Sequence, residues 1–417
     1  ALDAAEPTLE RFLASDDPSE RQQAHLALAL SGGRGAPLAA HALRESKRHR
    51  ERLFRVLEFQ GPESYELLVA LLHDPSWHVR LWTVRGARFA ERRPTPAWIE
   101  KVGRLALGDQ SSAVRHAATT ALCKMGPADP SVTTKLRRLL RWGDERLRYR
   151  VLRETGHERF FEFSREVVVP AALRDESAAI RAWAAYTCTS TVEPTEATLG
   201  MLKELLDDDE DSVKAMAAAA LELRRRGDDR TLALLLPYLK SAHLVGEPFH
   251  WESGRQRRNL RAGGGAGAEA PSRSVPMPKP DGLAIQALLA GGVRTLPHLE
   301  EALRNALPGD RLALVNALGH LGEPAVPSLT ALLDDESEVV RWAALSGLVG
   351  TRAGAAVALE KLLAWTRGEW PVFVGEDAWK RAVGQMVGHL RESAVLPLLV
   401  HFDARLRHLN ENMEADP

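Results

Sequence analysis

The sequence predicts an all-α superhelical solenoid of about ten to twelve helical hairpins, and three observations carry that prediction. A basic residue following an aliphatic one returns at Arg80, Arg115, Arg148, Arg181 and Lys214, with spacings of 35, 33, 33 and 33 residues. An acidic turn precedes it each time, in DPSWHVRLWTV, DQSSAVRHAAT, DERLRYRVL, DESAAIRAWAA and DEDSVKAMAAA. In front of each turn lies a second helical pattern ending in apolar residues and an Asp. A period this regular marks stacked copies of one supersecondary unit. The pattern returns in DDESEVVRWAALSGLVG at Arg341, and more weakly around Arg21, Arg52, Arg311 and Lys380.

The first helix of each unit, helix A, is read in PESYELLVALLHD, PAWIEKVGRLALGD, PSVTTKLRRLLRWGD, FSREVVVPAALRD, ATLGMLKELLDDD and PAVPSLTALLDD. Proline suits a first helical turn, whose amide has no intrahelical acceptor. The closing Asp is placed to cap the helix that follows. In that second helix, helix B, the aliphatic residue at position 0 shares a face with positions 3, 4 and 7. Those positions hold Val79, Trp82 and Thr83; Val114, Ala117 and Ala118; Ile180, Trp183 and Ala184; Val213, Met216 and Ala217. This predicts a core face of small residues that lets neighbouring hairpins approach closely. One hairpin cannot bury such a face, so stacking supplies the core.

The Asp-bearing turn followed by Val-Arg and an Ala in helix B resembles the HEAT-repeat family over most of the chain. The resemblance implies a HEAT-like fold and is nearly silent about activity. Hydrophobic residues make up 45% of the 417, enough for burial, and a solenoid can extend over that length as one body. The formal net charge of -1 argues against a wholly basic nucleic-acid binder but hides an uneven spread. Residues 41 to 160 carry 24 Lys and Arg against 14 Asp and Glu, a net of +10, which leaves -11 for the rest. Cys123 and Cys188 alone cannot build a disulfide scaffold or a cysteine-rich zinc site. The N-terminal ALDAAEPTLERFL has no basic start leading into an apolar core, and no run reaches ~18 apolar residues. A cytoplasmic protein with no membrane partner is expected.

The repeat breaks twice. After DRTLALLLPYLKSAH the turn into helix B is replaced by GEPFHWESGRQRRNLR, a glycine cluster at Gly263 to Gly267 and a proline-rich run to Pro280. DGLAIQALLAGG then supplies a short helix B. The expected organisation is therefore N-terminal repeats over 1–241, an insertion over 242–281 and C-terminal repeats over 282–417. The second break places TRGEWPVFVGED between GAAVALEKLLAW and AWKRAVGQMVGHL. Both interrupt A-to-B turns, so they are expected on one edge, three repeats and on the order of 25–30 Å apart. Phe249 and Trp251 predict an ordered lobe, since they are costly to leave in water; the glycine and proline run behind them reads as a mobile return path. The alternative is that the aromatics only cap the solenoid and the arginines are solvated. Residues selected for partner binding are Phe249, Trp251, Arg255, Arg257, Arg258, Trp370 and Phe373.

GEPFHWESG also resembles a Gly-Glu-Ala-Phe-Ser-Trp-Ile-Thr-Gly signature of proteobacterial HEAT-like proteins, some encoded beside type VI secretion genes. Gly246, Glu247, Phe249, Trp251 and Gly254 match it, whereas Pro248, His250, Glu252 and Ser253 depart. That resemblance implies a secretion-associated adaptor and names no reaction.

The basic ladder at position 1 of helix B is expected to bridge the acidic turns of neighbouring repeats. Beyond it, Lys135 to Arg153 holds eight basic residues with Trp142 and Tyr149 interleaved, and Arg85, Arg88, Arg92 and Arg93 lie upstream. Phosphate binding needs such charges on one face, with aromatics for base stacking. The residues selected for that alternative are Arg85, Arg88, Arg138, Arg141, Tyr149 and Arg153. HEAT-like DNA glycosylases offer the precedent, but no aromatic and carboxylate constellation transfers from them.

HEAT-like di-iron hydroxylases use repeated His-Glu pairs, and only His157-Glu158 occurs here; His243, His250, His401 and His408 share no register. Iron-sulfur chemistry needs more cysteines than two. AGGGAGAE lacks the Lys-Ser/Thr of a phosphate loop, and no nucleophile motif is visible. Asp207 to Ser212 resembles a metal loop in composition only and occupies an ordinary interhelical turn. No catalytic residue, metal ligand or cofactor is assigned. The sequence reading is a non-enzymatic scaffold or adaptor for a protein partner, with nucleic-acid binding as the alternative.

Overall fold

The computed structural model describes residues 65–86, 94–190, 192–239 and 275–367, together with a few isolated positions elsewhere. Among the described residues there are helices and turns and no strand. They fall into two compact units, Ala1–Leu205 with Glu269–Pro278, and Leu206–Ala268 with Lys279–Pro417.

In the first unit, the hairpins are α1 (Tyr65–Leu71) with α2 (Trp77–Gly86), α3 (Pro96–Gly108) with α4 (Ser112–Met125), and α5 (Pro130–Trp142) with α6 (Glu145–Thr155). They continue with α7, which joins Phe161–Phe163 to Val169–Leu173, then α8 (Ala178–Ser190) and α9 (Glu196–Glu204). Successive A helices α1, α3, α5, α7 and α9 pack side by side in one layer, and B helices α2, α4, α6 and α8 form a second layer against them. Each layer thus has one face in the core and one toward solvent. The interlayer core is apolar and tight: Trp98, Ile99 and Val102 of α3 meet Val114, Ala118 and Leu122 of α4, all fully buried.

Helix starts follow their local chemistry. Thr95 and Asp129 cap α3 and α5, accepting from the amides of Trp98 and Ser131, with Pro96 and Pro130 in the first turn. Pro170 lies inside α7 and has no amide hydrogen to donate to the carbonyl one turn back. The helix widens to a π-helical turn over Ser164–Val168 just before it, the local adjustment expected where the ladder loses a donor.

The second unit contains B helices α10 (Asp211–Leu223), α12 (Asp281–Gly291), α14 (Pro308–Leu321) and α16 (Glu338–Val349). Its A helices are α11 (Asp229–Leu235), α13 (Thr295–Arg304), α15 (Val326–Ala331) and α17 (Arg352–Arg367). The expected short helix after the long insertion is α12. Ala215 to Ala220 of α10 are all fully buried, as small residues on a stacking face should be. Where α14 crosses α16, Gly319 and Gly347 face each other. A methyl at Gly347 would stand 2.8 Å from the Gly319 Cα and 3.1 Å from a Leu329 methyl.

The expectation for position 3 of helix B needs correction. Thr83, Ala118, Ala184, Met216 and Ala217 are fully buried, but Trp82, Ala117 and Trp183 are only half-buried. In α2, α4 and α8 position 3 sits where the core face turns toward solvent, so Trp82 and Trp183 keep one edge outside, whereas Met216 of α10 is covered on all sides.

The basic ladder closes the gaps between hairpins. Arg80 donates to Asp109 of the next repeat through Nε at 2.7 Å and Nη2 at 2.9 Å. Its remaining nitrogen Nη1 donates to the carbonyls of Asp74 and Pro75 in its own turn, at 2.7 and 3.0 Å. Asp109 in turn accepts the Ser111 amide at 2.9 Å, tying the start of α4 to the arginine one repeat back. Hydrogen bonding to Asp109 holds the Arg80 guanidinium above its usual pKa. Arg148 repeats the arrangement with Asp175 at 2.7 and 2.9 Å and with the Gly143 carbonyl at 2.9 Å; Asp175 accepts from the Ser177 amide. Arg115 reaches Asp144 by one bond of 3.2 Å. In the second unit Arg311 pairs with Asp335, which also takes the Ser337 amide. Only a planar five-donor group can serve both turns at once; Lys214 pairs locally with Asp211 at 2.9 Å.

Burial decides how much each clamp contributes. The Arg148 and Asp175 side chains are 11% and 7% exposed, those of Arg115 and Asp144 24% and 44%. Removing one partner of a largely buried pair strands the other charge, whereas an open pair is screened. Arg148→Ala is therefore expected to lower unfolding free energy by about 3 kcal/mol, and Arg115→Ala by no more than about 1 kcal/mol. Urea denaturation followed by circular dichroism checks both, and equal costs would show that burial does not set the strength of the clamp. Gly347→Ala is expected to cost about 1–3 kcal/mol through overpacking of the α14/α16 crossing. Gly282→Ala is the control, because a methyl there meets nothing within 4 Å.

Candidate functional site

With the ladder arginines committed to the turns, the side chains left for other work are those on the solvent faces of the two layers. The B-layer face of the first unit combines aromatic and basic groups. On α2 the Arg85 guanidinium lies over the Trp82 ring at 5.9 Å. On α4, His116 and Thr120 are half-buried, and burial together with the neighbouring Arg150 lowers the His116 pKa. On α6, Arg150 donates to the Thr120 hydroxyl at 3.0 Å, and Arg153 pairs with Glu154 at 3.1 Å. Burial also raises the Tyr149 pKa, so its phenol stays protonated and available as a donor.

The aromatic centre of this face lies between α6 and α8. Tyr149 meets Trp183 at 5.6 Å between ring centroids, tilted by 49°. Trp183 meets Tyr186 edge-on at 5.4 Å and 75°. Such arrangements are the favourable ones for ring quadrupoles. The Trp183 indole N–H then donates to the main-chain carbonyl of Pro276 at 2.8 Å. Val275 is 6% exposed and Pro278 is buried, while Pro276 and Met277 between them are exposed. Residues 275 to 278 of the proline-rich run are thus held on this unit and are no free return path, which corrects the expectation for that stretch. The reason is a buried apolar residue at each end of the stretch and an indole donor for the carbonyl between them.

The residues selected for nucleic-acid binding do not converge. Arg85, Tyr149 and Arg153 share the B layer, whereas Arg138 and Arg141 are exposed on α5 of the A layer. Arg141 there covers Trp142 at 4.7 Å, and Arg137 covers Phe163 at 5.5 Å. Lys135 is buried over Gly103 and reaches Glu100 at 2.6 Å, so it joins two A helices. Arg88 lies outside the described residues. So do Phe249, Trp251, Arg255, Arg257, Arg258, Trp370 and Phe373, and with them most of both interrupted turns.

Trp183 and Pro276 are the functional candidates that the sequence reading missed. Trp183 was assigned to the core by periodicity, and nothing local announces its partner 93 positions away. A usable signal existed in VPMPKP, where every second residue is proline. Among the described residues, no three His, Cys, Asp or Glu side chains gather as a metal site, and no helix is long and apolar enough to cross a membrane. Cys123 and Cys188 are buried in helix B, and burial pushes the Cys123 thiol far up.

The chain is similar to known proteins in its architecture. The HEAT-repeat family model matches residues 65–155 and 296–373. No curated protein sequence matches the chain. Among solved structures, Kap95p with RanGDP aligns over 98% of this chain and 58% of its own, with 11% identity and a TM-score of 0.50. The Kap95:Nup1 complex aligns over 100% of this chain and 61% of its own, with 12% identity and a TM-score of 0.47. An engineered protein aligns over 92% and 98%, with 14% identity and a TM-score of 0.39. The chain spans only about three fifths of the two Kap95p chains. With paired helices in two layers, an arginine and aspartate ladder joining them, and a matched segment in each unit, the chain carries HEAT repeats in both units.

Proposed function

We propose that this chain is a non-enzymatic protein-interaction scaffold that engages an acidic protein partner through the B-layer solvent face of its first unit. The observation that carries this reading is the Tyr149, Trp183 and Tyr186 cluster, with Arg150 and Arg153 on the same helix as Tyr149 and Arg85 further along the B layer. Aromatic rings and arginines are the side chains that anchor protein interfaces. Kap95p, a protein of the same fold, is seen with RanGDP and with Nup1, which supports a protein partner in general. The two interrupted turns, with Phe249, Trp251, Arg255, Arg257, Arg258, Trp370 and Phe373, are proposed as further contact points. A secretion-associated role rests on the resemblance of Gly246 to Gly254 alone.

The phosphate-backbone reading is weaker for a physical reason. A polyanion needs unpaired cations on one face, and here they are divided between two layers and partly spent on Glu100, Glu154 and aromatic rings. Arg85 and Arg153 are both exposed, so Arg85→Glu with Arg153→Glu should leave the fold intact. Affinity purification from the native host is expected to recover a co-eluting protein with the wild-type chain and about tenfold less of it with the doubly reversed chain, at equal helical content by circular dichroism. Undiminished recovery would remove this face as the interface. Tight binding to DNA or RNA that weakens steeply between about 50 and 200 mM salt would favour the alternative.

A further inference from the structure

Resting on that reading, we infer that the Tyr149, Trp183 and Tyr186 face is a receptor for an extended, proline-alternating peptide. Residues Val275 to Pro278 of the chain occupy it in cis, and an acidic partner peptide of the same kind displaces them. The seated segment shows what the face selects. Polyproline II repeats every three residues, and within Val275 to Pro278 the two ends, three apart, are buried while Pro276 and Met277 between them are exposed; Pro280 beyond is buried as well. Proline has no amide hydrogen, so the stretch exposes few donors that would lose water without gaining a partner. What it offers is a main-chain carbonyl, and Trp183 takes it at 2.8 Å. An aromatic platform with an indole donor is how proline-rich segments are read in general, because their backbone is already extended and loses little entropy.

Charge separates the cis occupant from the partner. The segment is flanked by Arg273 and Lys279, and α6 beside it carries Arg150 and Arg153 with Tyr149. A like-charged occupant is held by shape and hydrogen bonding alone, while an acidic flank adds attraction. The cis segment acts at an effective concentration of order millimolar. With an intrinsic dissociation constant of about 0.1 mM for the cis segment, it lowers the apparent affinity of any competing peptide by roughly tenfold. The face is thus self-covered until a better-matched peptide arrives.

The test uses the full chain and a fluorescein-labelled synthetic peptide, Asp-Val-Pro-Met-Pro-Glu-Pro, titrated by polarisation. Val275→Lys with Pro278→Lys puts a charge of the same sign as the face's arginines at both buried positions and vacates the face. This variant is expected to bind the peptide about tenfold more tightly than the wild type. Trp183→Phe in the vacated background keeps a ring, removes the donor, and is expected to weaken binding about tenfold. A vacated, folded chain that does not bind, or one that Trp183→Phe leaves unchanged, overturns the proposal. Should the vacated variant fail to fold, the wild-type chain decides the matter through the Trp183 indole amide signal, assigned with Trp183→Phe. Movement of that signal with millimolar peptide supports displacement, and a fixed signal overturns it. If the doubly reversed chain loses its partner while the peptide fails to bind, the scaffold reading stands and this peptide chemistry falls.

Discussion

A single repeated interaction organises the molecule: an arginine on one B helix reaches across to the aspartate at the head of the next. Its geometry solves two problems at once. Every interhelical turn leaves carbonyls and amides without helical partners, and every hairpin needs a fixed position against its neighbour. Arg80 and Arg148 use one nitrogen for their own turn's carbonyls and the other two for the following aspartate. Asp109 and Asp175 hold the amide of their own turn with the same carboxylate. A non-directional apolar interface would stack hairpins without fixing their phase. The forked pair fixes it.

That fixed phase is what gives position-by-position meaning to the solvent face. Because successive B helices keep one register, residues at equivalent positions fall in line across the layer. Tyr149 at position 2 of α6 can then reach Trp183 at position 3 of α8, and Arg150 can reach Thr120 at position 6 of α4. In α6 stability and recognition are divided by position: Leu147 and Val151 at positions 0 and 4 build the core, Arg148 at position 1 clamps, and Tyr149, Arg150 and Arg153 at positions 2, 3 and 6 turn toward solvent. Function can therefore change at the outward positions with little consequence for the stack.

The repeat, its helix boundaries and the clamp were readable in the amino-acid string because each depends on residues a fixed distance apart. Pro96 and Pro130 mark helix starts, Asp109 and Asp175 mark turns, and Arg80 and Arg148 follow at constant offsets. The candidate site was only half legible. Arg85, Tyr149 and Arg153 stood out by composition, but grouping them with Arg138 and Arg141 ignored that the second pair belongs to an A helix. Periodicity placed Trp183 in the core because an indole is apolar; in α8 that position lies at the boundary of the core face, as Ala117 does in α4, and the ring is half-buried. Its bond to Pro276 links positions 93 apart, and no local pattern encodes such a contact. Nor does a proline count distinguish a seated extended strand from a loose connection. That difference lies in burial of Val275 and Pro278.

The claim that the arginine and aspartate fork couples neighbouring hairpins is tested most directly by native-state hydrogen exchange on the wild type and on Asp175→Asn. The neutral amide keeps the size of the side chain and removes its charge. The account predicts that amides of α6 and α8 lose protection together, while those of α1 and α2, two hairpins away from α6, keep theirs. Loss confined to the first turn of α8 would mean that Asp175 is only a local cap, and the coupling described here would be contradicted.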